Sequence, residues 1–415
     1  MVWDVVTANR TWSVSAEWIF PADGRTLRRG VLRGRGALIE DVGPEREVLP
    51  AADHRELGEV AVLPGLVNAH THLELTHLRG QLPARRPMSQ WLYGLRARWP
   101  ATHDLDAAVE DGAAEALATG TTALADVCHN NRARRTLKQT PLRSVCFAEV
   151  TGIGPLVESA IPRLQKRIHG CRSTQRMRFG ISPHAPYTTA EEVYRQAVAL
   201  ARRRHWPLAT HLAETESERQ FLLRGSGRLF DFLTHMGLMT SSVRIPECTP
   251  VAFAQRVGLF DGPCVLGHVN YVDDAEMKTL AGSGASVVCC PRCNDFFGRS
   301  GHRYAEMLQA GINVAVGTDS LASNTSLDMI AELARLRAEA KADNQTLLEM
   351  GTLHGARALG WDDRIGSLAP GKQADWIAVE VPPDTVAPLE AIFTGRGRVL
   401  QVNIAGKLAY AAEEA

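Results

Sequence analysis

Eight short apolar, β-branched runs recur along this chain from about residue 62. Each ends in polar residues and is followed by a stretch rich in Ala, Leu, Glu and Arg: AVLPGLVNAHTH, TTALADVCH, SVCFAEVTG, MRFGISPHAP, PLATHLAE, CVLGHVN, SVVCCPRCN and NVAVGTDS. Continuous apolar runs alternating with helical patterns are the mark of parallel βα units, because parallel neighbours need a crossover and a helix supplies it. Closing eight of them gives an α/β fold, a (β/α)₈ TIM-type barrel, and the stretch from His70 to Asp319 has roughly the 250 residues such a barrel takes.

Polar residues fall where that fold builds active sites. His70, His184, His211, His268 and Asp319 each come at the C-terminal end of an apolar run, the face from which barrel enzymes work. The flanks read differently. Residues 1–60 and 366–415 alternate polar and apolar positions between Gly and Pro turns, and neither has the apolar content for a core of its own. They are expected to pair into one discontinuous β-sandwich domain, leaving 61–365 as the catalytic barrel. The stretch from Arg219 to Val257 is expected to make a loop-and-helix excursion over the site.

Lys and Arg together number 46 and so do Asp and Glu, so no global field attracts nucleic acid or an anionic membrane. The first residues lack the charged start and apolar core of a signal peptide, and no apolar run approaches the ~20 residues of a membrane span. A cytoplasmic protein is expected. Eight cysteines in 415 residues is far from scaffold density, which points to reduced core thiols.

The local chemistry starts at His70-Thr71-His72. Residues two apart in a strand share a face, so both imidazoles can reach one ion. His211 and Asp319 end later runs and can project into the same mouth. Three imidazoles and a carboxylate suit one divalent ion, zinc first and Fe²⁺ as the alternative, and zinc brings the pKa of a bound water to ~7. Asp319 also reads as a helix N-cap. Glu214, three residues after His211, reads as a proton carrier or as a helix-start acid favoured by the macrodipole. His268 can hydrogen-bond developing charge. His72-Leu73-Glu74 and Cys290-Pro-Arg-Cys293 imitate the zinc site of cytidine-type deaminases. That motif needs Pro directly before its first Cys, and here residue 289 is Cys.

Read together, PGLVNAHTHLELTHLRG, SPHAPYT, THLAET, LGHVNYV, CCPRCN, GTDSLASNTSLDM and IGSLAPGKQADWIAVE resemble the amidohydrolase superfamily. The branch is that of cytosine deaminase, S-adenosylhomocysteine deaminase and the chlorohydrolases, and the aminodeoxyfutalosine deaminases are the group it resembles most. The resemblance implies metal ligands at His70, His72, His211 and Asp319, and catalytic roles for Glu214, His268 and Asp319. It also implies substrate contacts at His184 and Trp91. Arg292 and Asn294, after the seventh run, join the expected substrate contacts. It implies one metal, since neither SVCFAEVTG nor MRFGISPHAP carries the bridging lysine of binuclear relatives.

The activity implied is deamination of a 6-aminopurine nucleoside, best matched by 6-amino-6-deoxyfutalosine of menaquinone biosynthesis. Alternatives are S-adenosylhomocysteine, 5′-methylthioadenosine or adenosine, a triazine chlorohydrolase or aminohydrolase, and a non-catalytic barrel scaffold. Trp99-Pro100 is followed by Ala101, Thr102 and His103, where homocysteine-nucleoside deaminases place a Glu for the ribose diol. The benzoate of the futalosine calls for an arginine, with Arg132, Arg134, Arg135, Arg292 and Arg299 as candidates against a reading as solvated loop charge. Partners expected are the small-molecule nucleoside, no nucleic acid and no membrane, with a homodimer left open.

Overall fold

The computed structural model describes residues 10–99, 105–130 and 132–413. The N-terminal segment folds into β1 (Thr11–Ile19), β2 (Leu27–Arg35), β3 (Leu38–Pro44), β4 (Asp53–Glu56) and β5 (Val60–Pro64). The barrel strands follow as β6 (Leu66–Thr71), β7 (Thr121–Cys128), β8 (Arg143–Val150), β9 (Met177–Pro183), β10 (Leu208–Leu212), β11 (Cys264–His268), β12 (Ser286–Cys289) and β13 (Asn313–Val316). The C-terminal segment adds β14 (Trp376–Glu380), β15 (Val399–Ile404) and β16 (Lys407–Ala411).

Strands β6 to β13 pair in chain order as one parallel sheet. A parallel bridge between Thr71 and Asp319 joins the first strand to the end of the last. Asn68 reinforces that seam, its Nδ2 donating to Thr318 Oγ1 at 2.8 Å and its Oδ1 accepting from Thr318 N at 3.2 Å. Every residue of β6, β7, β10 and β11 is buried, which explains runs that are continuously apolar rather than alternating. Val67, Ala123, Val145, Phe147, Val265 and Ala315 belong to the cluster that fills the interior. The helix Glu191–Arg203 is typical of the outer ring, burying Val193, Tyr194, Ala197, Val198 and Ala201 at helical spacing.

The two termini build one hydrogen-bonded mixed sheet in the order β16-β15-β14-β5-β1-β2-β3, with β4 beside β1. The antiparallel β14–β5 pair is where the C-terminal segment joins the N-terminal one. Gly65 carries the chain from this sheet into the barrel. A Cβ there would lie 2.1 Å from Thr122 Oγ1, so only glycine fits. Below the barrel, the Arg143 guanidinium grips Asp375 with two bonds of 2.6 and 3.0 Å, both side chains at most 5% exposed.

The segment after β10 forms the helices Glu216–Arg224, Arg228–His235 and Pro250–Arg256. Their Phe221, Leu229 and Phe232 pack against Leu78, Trp91 and Tyr187 over the C-terminal mouth. Among the described residues no helix is long and apolar enough to cross a membrane.

Candidate active site

The strand ends at the mouth turn abruptly. Ala213, His268, Val269 and Asp319 all take left-handed backbone, with φ of 50°, 71°, 52° and 56°. Such conformations cost non-glycine residues about 1–3 kcal/mol each and survive where the surroundings hold them, most often at functional sites. Here His268 and Asp319 face the cavity from two different strands, and Ala213 leads directly into Glu214 on a third.

His72 Nδ1 lies 3.1 Å from Val127 O, and His211 Nδ1 lies 2.9 Å from His184 O. A carbonyl only accepts, so both rings carry their proton on Nδ1 and offer a bare lone pair at Nε2. Those two Nε2 atoms face each other at 3.2 Å. Burial pushes the His72 pKa down to about 3, so the His72 ring itself is neutral near pH 7. His70 Nε2 is buried with no hydrogen-bond partner and lies 3.6 Å from Asp319 Oδ1, as does His72 Nε2.

Opposed lone pairs and an orphaned buried nitrogen call for a cation among them. The spacing matches a tetrahedral ion, whose ligand atoms at ~2.0–2.1 Å from the centre are about 3.3 Å apart. Three candidate ligand sets occur here, His70/His72/His211, His70/His268/Asp319 and Glu149/His184/His211. The first shares His70 with the second and His211 with the third. Because His211 Nδ1 is committed to His184 O, its single free nitrogen can serve only one ion, so the first and third sets cannot each hold an ion of their own.

Asp319 is oriented from behind. Its Oδ2 accepts from Ser323 Oγ at 2.6 Å and from Cys293 Sγ at 3.0 Å, leaving Oδ1 toward the imidazoles. Burial pushes the Cys293 thiol well up, so it stays an S–H donor; Cys290 and Cys293 are both free and buried and belong to none of the candidate ligand sets among the described residues. Glu74 of the HxE imitation is occupied with the backbone N–H groups of His129 and Asn130 at 3.1 and 3.3 Å.

Glu214 follows left-handed Ala213, and the N–H groups of both residues donate to the Glu218 carboxylate at 3.0 and 2.8 Å. Its Oε1 lies 4.0 Å from His268 Nε2. His184, whose Nδ1 is 2.6 Å from Thr188 Oγ1, and Trp91, whose Nε1 donates to Ala322 O, complete the contacts that the structure brings together. All of them except His70 line a cavity of about 530 Å³.

Several expectations fail on position. Arg292 turns away from the cavity, its Nη1 donating to Ser326 Oγ at 2.6 Å and its Nη2 to Thr325 Oγ1. Asn294 spends its amide on Asn270 Oδ1 and does not line the cavity either. Arg134 and Arg135 border a separate crevice with Leu142 and Met177, at the opposite, N-terminal ends of the strands. Arg299 is paired with Glu214. The side chain of Arg132 and residues Pro100, Ala101, Thr102 and His103 lie outside the described part.

Two wall residues were not anticipated. Glu149, near the end of β8, has Oε2 3.2 Å from His129 Nδ1 and Oε1 4.0 Å from His184 Nε2. Its place at the end of an apolar run is the signal that could have found it. Arg96, on the helix Met88–Arg98, carried none.

A parallel eight-stranded barrel with three imidazoles and a carboxylate gathered at the strand ends has the arrangement of a metal-dependent hydrolase. The family model described as "Amidohydrolase family" matches residues 61–409. The chain belongs to that family, as a hydrolase of carbon–nitrogen bonds. It is 32% identical over 413 residues to the 5-methylthioadenosine/S-adenosylhomocysteine deaminase of Desulfovibrio desulfuricans, covering 93% of this chain and 88% of the relative. The structure is similar to that of a zinc-bound adenosine deaminase from Xanthomonas campestris, with TM-score 0.79, 26% identity and coverage of 97% and 94%. In fold it also matches the aminofutalosine deaminase of Helicobacter pylori, with TM-score 0.87, 19% identity and coverage of 96% and 99%.

Proposed function

We propose that the chain is a single-metal aminohydrolase that removes the amine of a 6-aminopurine nucleoside bearing a mainly apolar 5′ extension. The observation that carries this reading is the single cage of His70, His72, His211 and Asp319 with Glu214 and His268 poised together beside it. His70, His72, His211 and Asp319 would hold a divalent ion, which would supply a water acidic enough to lose a proton near neutrality. Glu214 would take one proton from that water and pass it to the ring nitrogen, then carry the remaining hydroxyl proton to the amine, which leaves as ammonia as the C–N bond breaks and the carbonyl forms. His268, with Nδ1 buried and unpartnered, turns Nε2 toward the reacting edge, where it can donate to charge developing on the base. His184 holds the base from the neighbouring wall.

Beyond the cage the cavity is walled by Met88, Trp91, Leu92, Leu95 and Trp99, and Arg96 stands among them. No other Lys or Arg lines the cavity among the described residues. An apolar trough with one cation fits an extension that ends in an anion, and 6-amino-6-deoxyfutalosine, with its benzoate, is the substrate proposed within the class. The kinship with a 5-methylthioadenosine/S-adenosylhomocysteine deaminase favours S-adenosylhomocysteine as the second reading, since it too carries a carboxylate.

A panel of adenosine, 5′-methylthioadenosine, S-adenosylhomocysteine and the benzoate nucleoside, followed by ultraviolet absorbance, tests both levels. The benzoate nucleoside should give the highest kcat/KM. Arg96→Gln should cut that value by about tenfold, the worth of one charge-assisted hydrogen bond, and leave 5′-methylthioadenosine unaffected. Equal losses on charged and uncharged substrates would remove Arg96 from anion recognition. Turnover of none of the four would defeat the nucleoside assignment.

A further inference from the structure

The cation beside Glu214 has no counterpart in the chemistry derived so far. Arg299 Nη1 donates to Glu214 Oε1 at 3.0 Å, and the two side chains are 8% and 6% exposed. Arg299 does not border the cavity. It lies behind Phe297, its guanidinium 4.2 Å from the centre of that ring, and Phe297 in turn meets Trp91 edge-on at 5.6 Å on the cavity wall. A stack thus runs from the cavity wall through Phe297 to the guanidinium, whose ion-pair partner at the site is the Glu214 carboxylate.

The position of Arg299 is set by backbone. Left-handed Gly298, with φ of 70°, ends the helix Pro291–Phe297, and the Arg299 N–H donates to Asn294 O at 2.8 Å. The main chain of Glu214 is equally fixed, its N–H bonded to Glu218 and its carbonyl accepting from Asn270 Nδ2 at 3.1 Å. What remains to be fixed is the Glu214 carboxylate itself. Its Oε1 is taken by Arg299, whereas Oε2 accepts no hydrogen bond from the described residues and is not among the enclosed, unpartnered atoms.

We infer that Arg299 is a positioning residue that anchors Oε1 of Glu214, so that Oε2 is the oxygen that carries the proton. The inference rests on the reading of Glu214 as proton carrier. A burial-paired guanidinium suits this task because its directional N–H groups fix an orientation that a solvated lysine would leave loose.

The test is a double-mutant cycle of Arg299→Met and Glu214→Gln, with Arg299→Lys as the conservative variant. Bound metal, thermal unfolding, kcat and KM are measured on the metal-loaded enzyme with the best nucleoside of the panel. Arg299→Met should keep its metal and a KM within about threefold, and lose kcat by roughly 10²-fold, the scale set by misplacing a reacting group by ~1 Å. Arg299→Lys should recover part of that loss. In the Glu214→Gln background Arg299→Met should cost nothing further, because there is no longer a proton carrier to aim. An unchanged kcat in Arg299→Met, or the same fold loss with and without Glu214, overturns the inference. If Arg299→Met does not fold, Arg299→Lys is run through the same cycle. Full turnover in Glu214→Gln overturns the proton-carrier reading itself, a failure visible before Arg299 is changed.

Discussion

Glu214→Gln is expected to retain its metal and to lose turnover by roughly 10²–10⁴-fold, the usual contribution of a positioned general acid–base. The substitution is nearly isosteric, and an amide oxygen can still accept the bond that Arg299 gives to Oε1. The backbone anchors to Glu218 and Asn270 do not involve the side chain, so the loop keeps its shape. Only the capacity to take up and release a proton goes. Metal analysis alongside steady-state kinetics checks the result. Loss of the ion with undiminished turnover per remaining metal would make Glu214 a ligand rather than a proton carrier.

Arg143→Met is expected to destabilise the chain by about 3–5 kcal/mol, because it leaves a buried carboxylate without its countercharge. Asp375 is 3% exposed, and although its Oδ1 also accepts from Ala405 N at 2.7 Å, one backbone donor does not neutralise it. The pair joins the first residue of β8 to the residue before β14, so the loss falls on the junction between barrel and terminal sheet. Urea unfolding gives the number. Arg143→Met with Asp375→Leu should recover much of the loss, since an apolar pair of similar volume is often no worse than a buried ion pair. A single variant as stable as the parent would show that the junction does not depend on this contact.

What the sequence made legible follows from burial. Strands enclosed by helices outside and side chains inside leave continuous apolar runs, and a polar residue ending such a run stands out. That is why His70, His72, His211, His268 and Asp319 could be placed together from the sequence, while Glu149, next to last in its strand, gave the same kind of signal and was passed over. Residues on helices gave no comparable signal. Arg292 follows a strand end, as the rule asks, but it lies in the first turn of the helix Pro291–Phe297, which directs its guanidinium to Thr325 and Ser326. Arg96 sits on the mostly exposed helix Met88–Arg98, where a charge reads as ordinary solvated surface. Cys293 looked like half of a metal or redox motif, and its role as a donor to Asp319 depends on a contact 26 residues away that spacing alone cannot convey.

One ion, held by His70, His72, His211 and Asp319, is what the proposed deaminase activity requires. The most direct measurement strips the protein with a chelator and titrates zinc back, reading ammonia release from an adenine nucleoside against ions bound per chain. The stripped protein should release no ammonia, and release should rise linearly to a plateau at about one ion per chain. Ammonia release without metal, or a plateau reached only at two ions, would contradict that requirement.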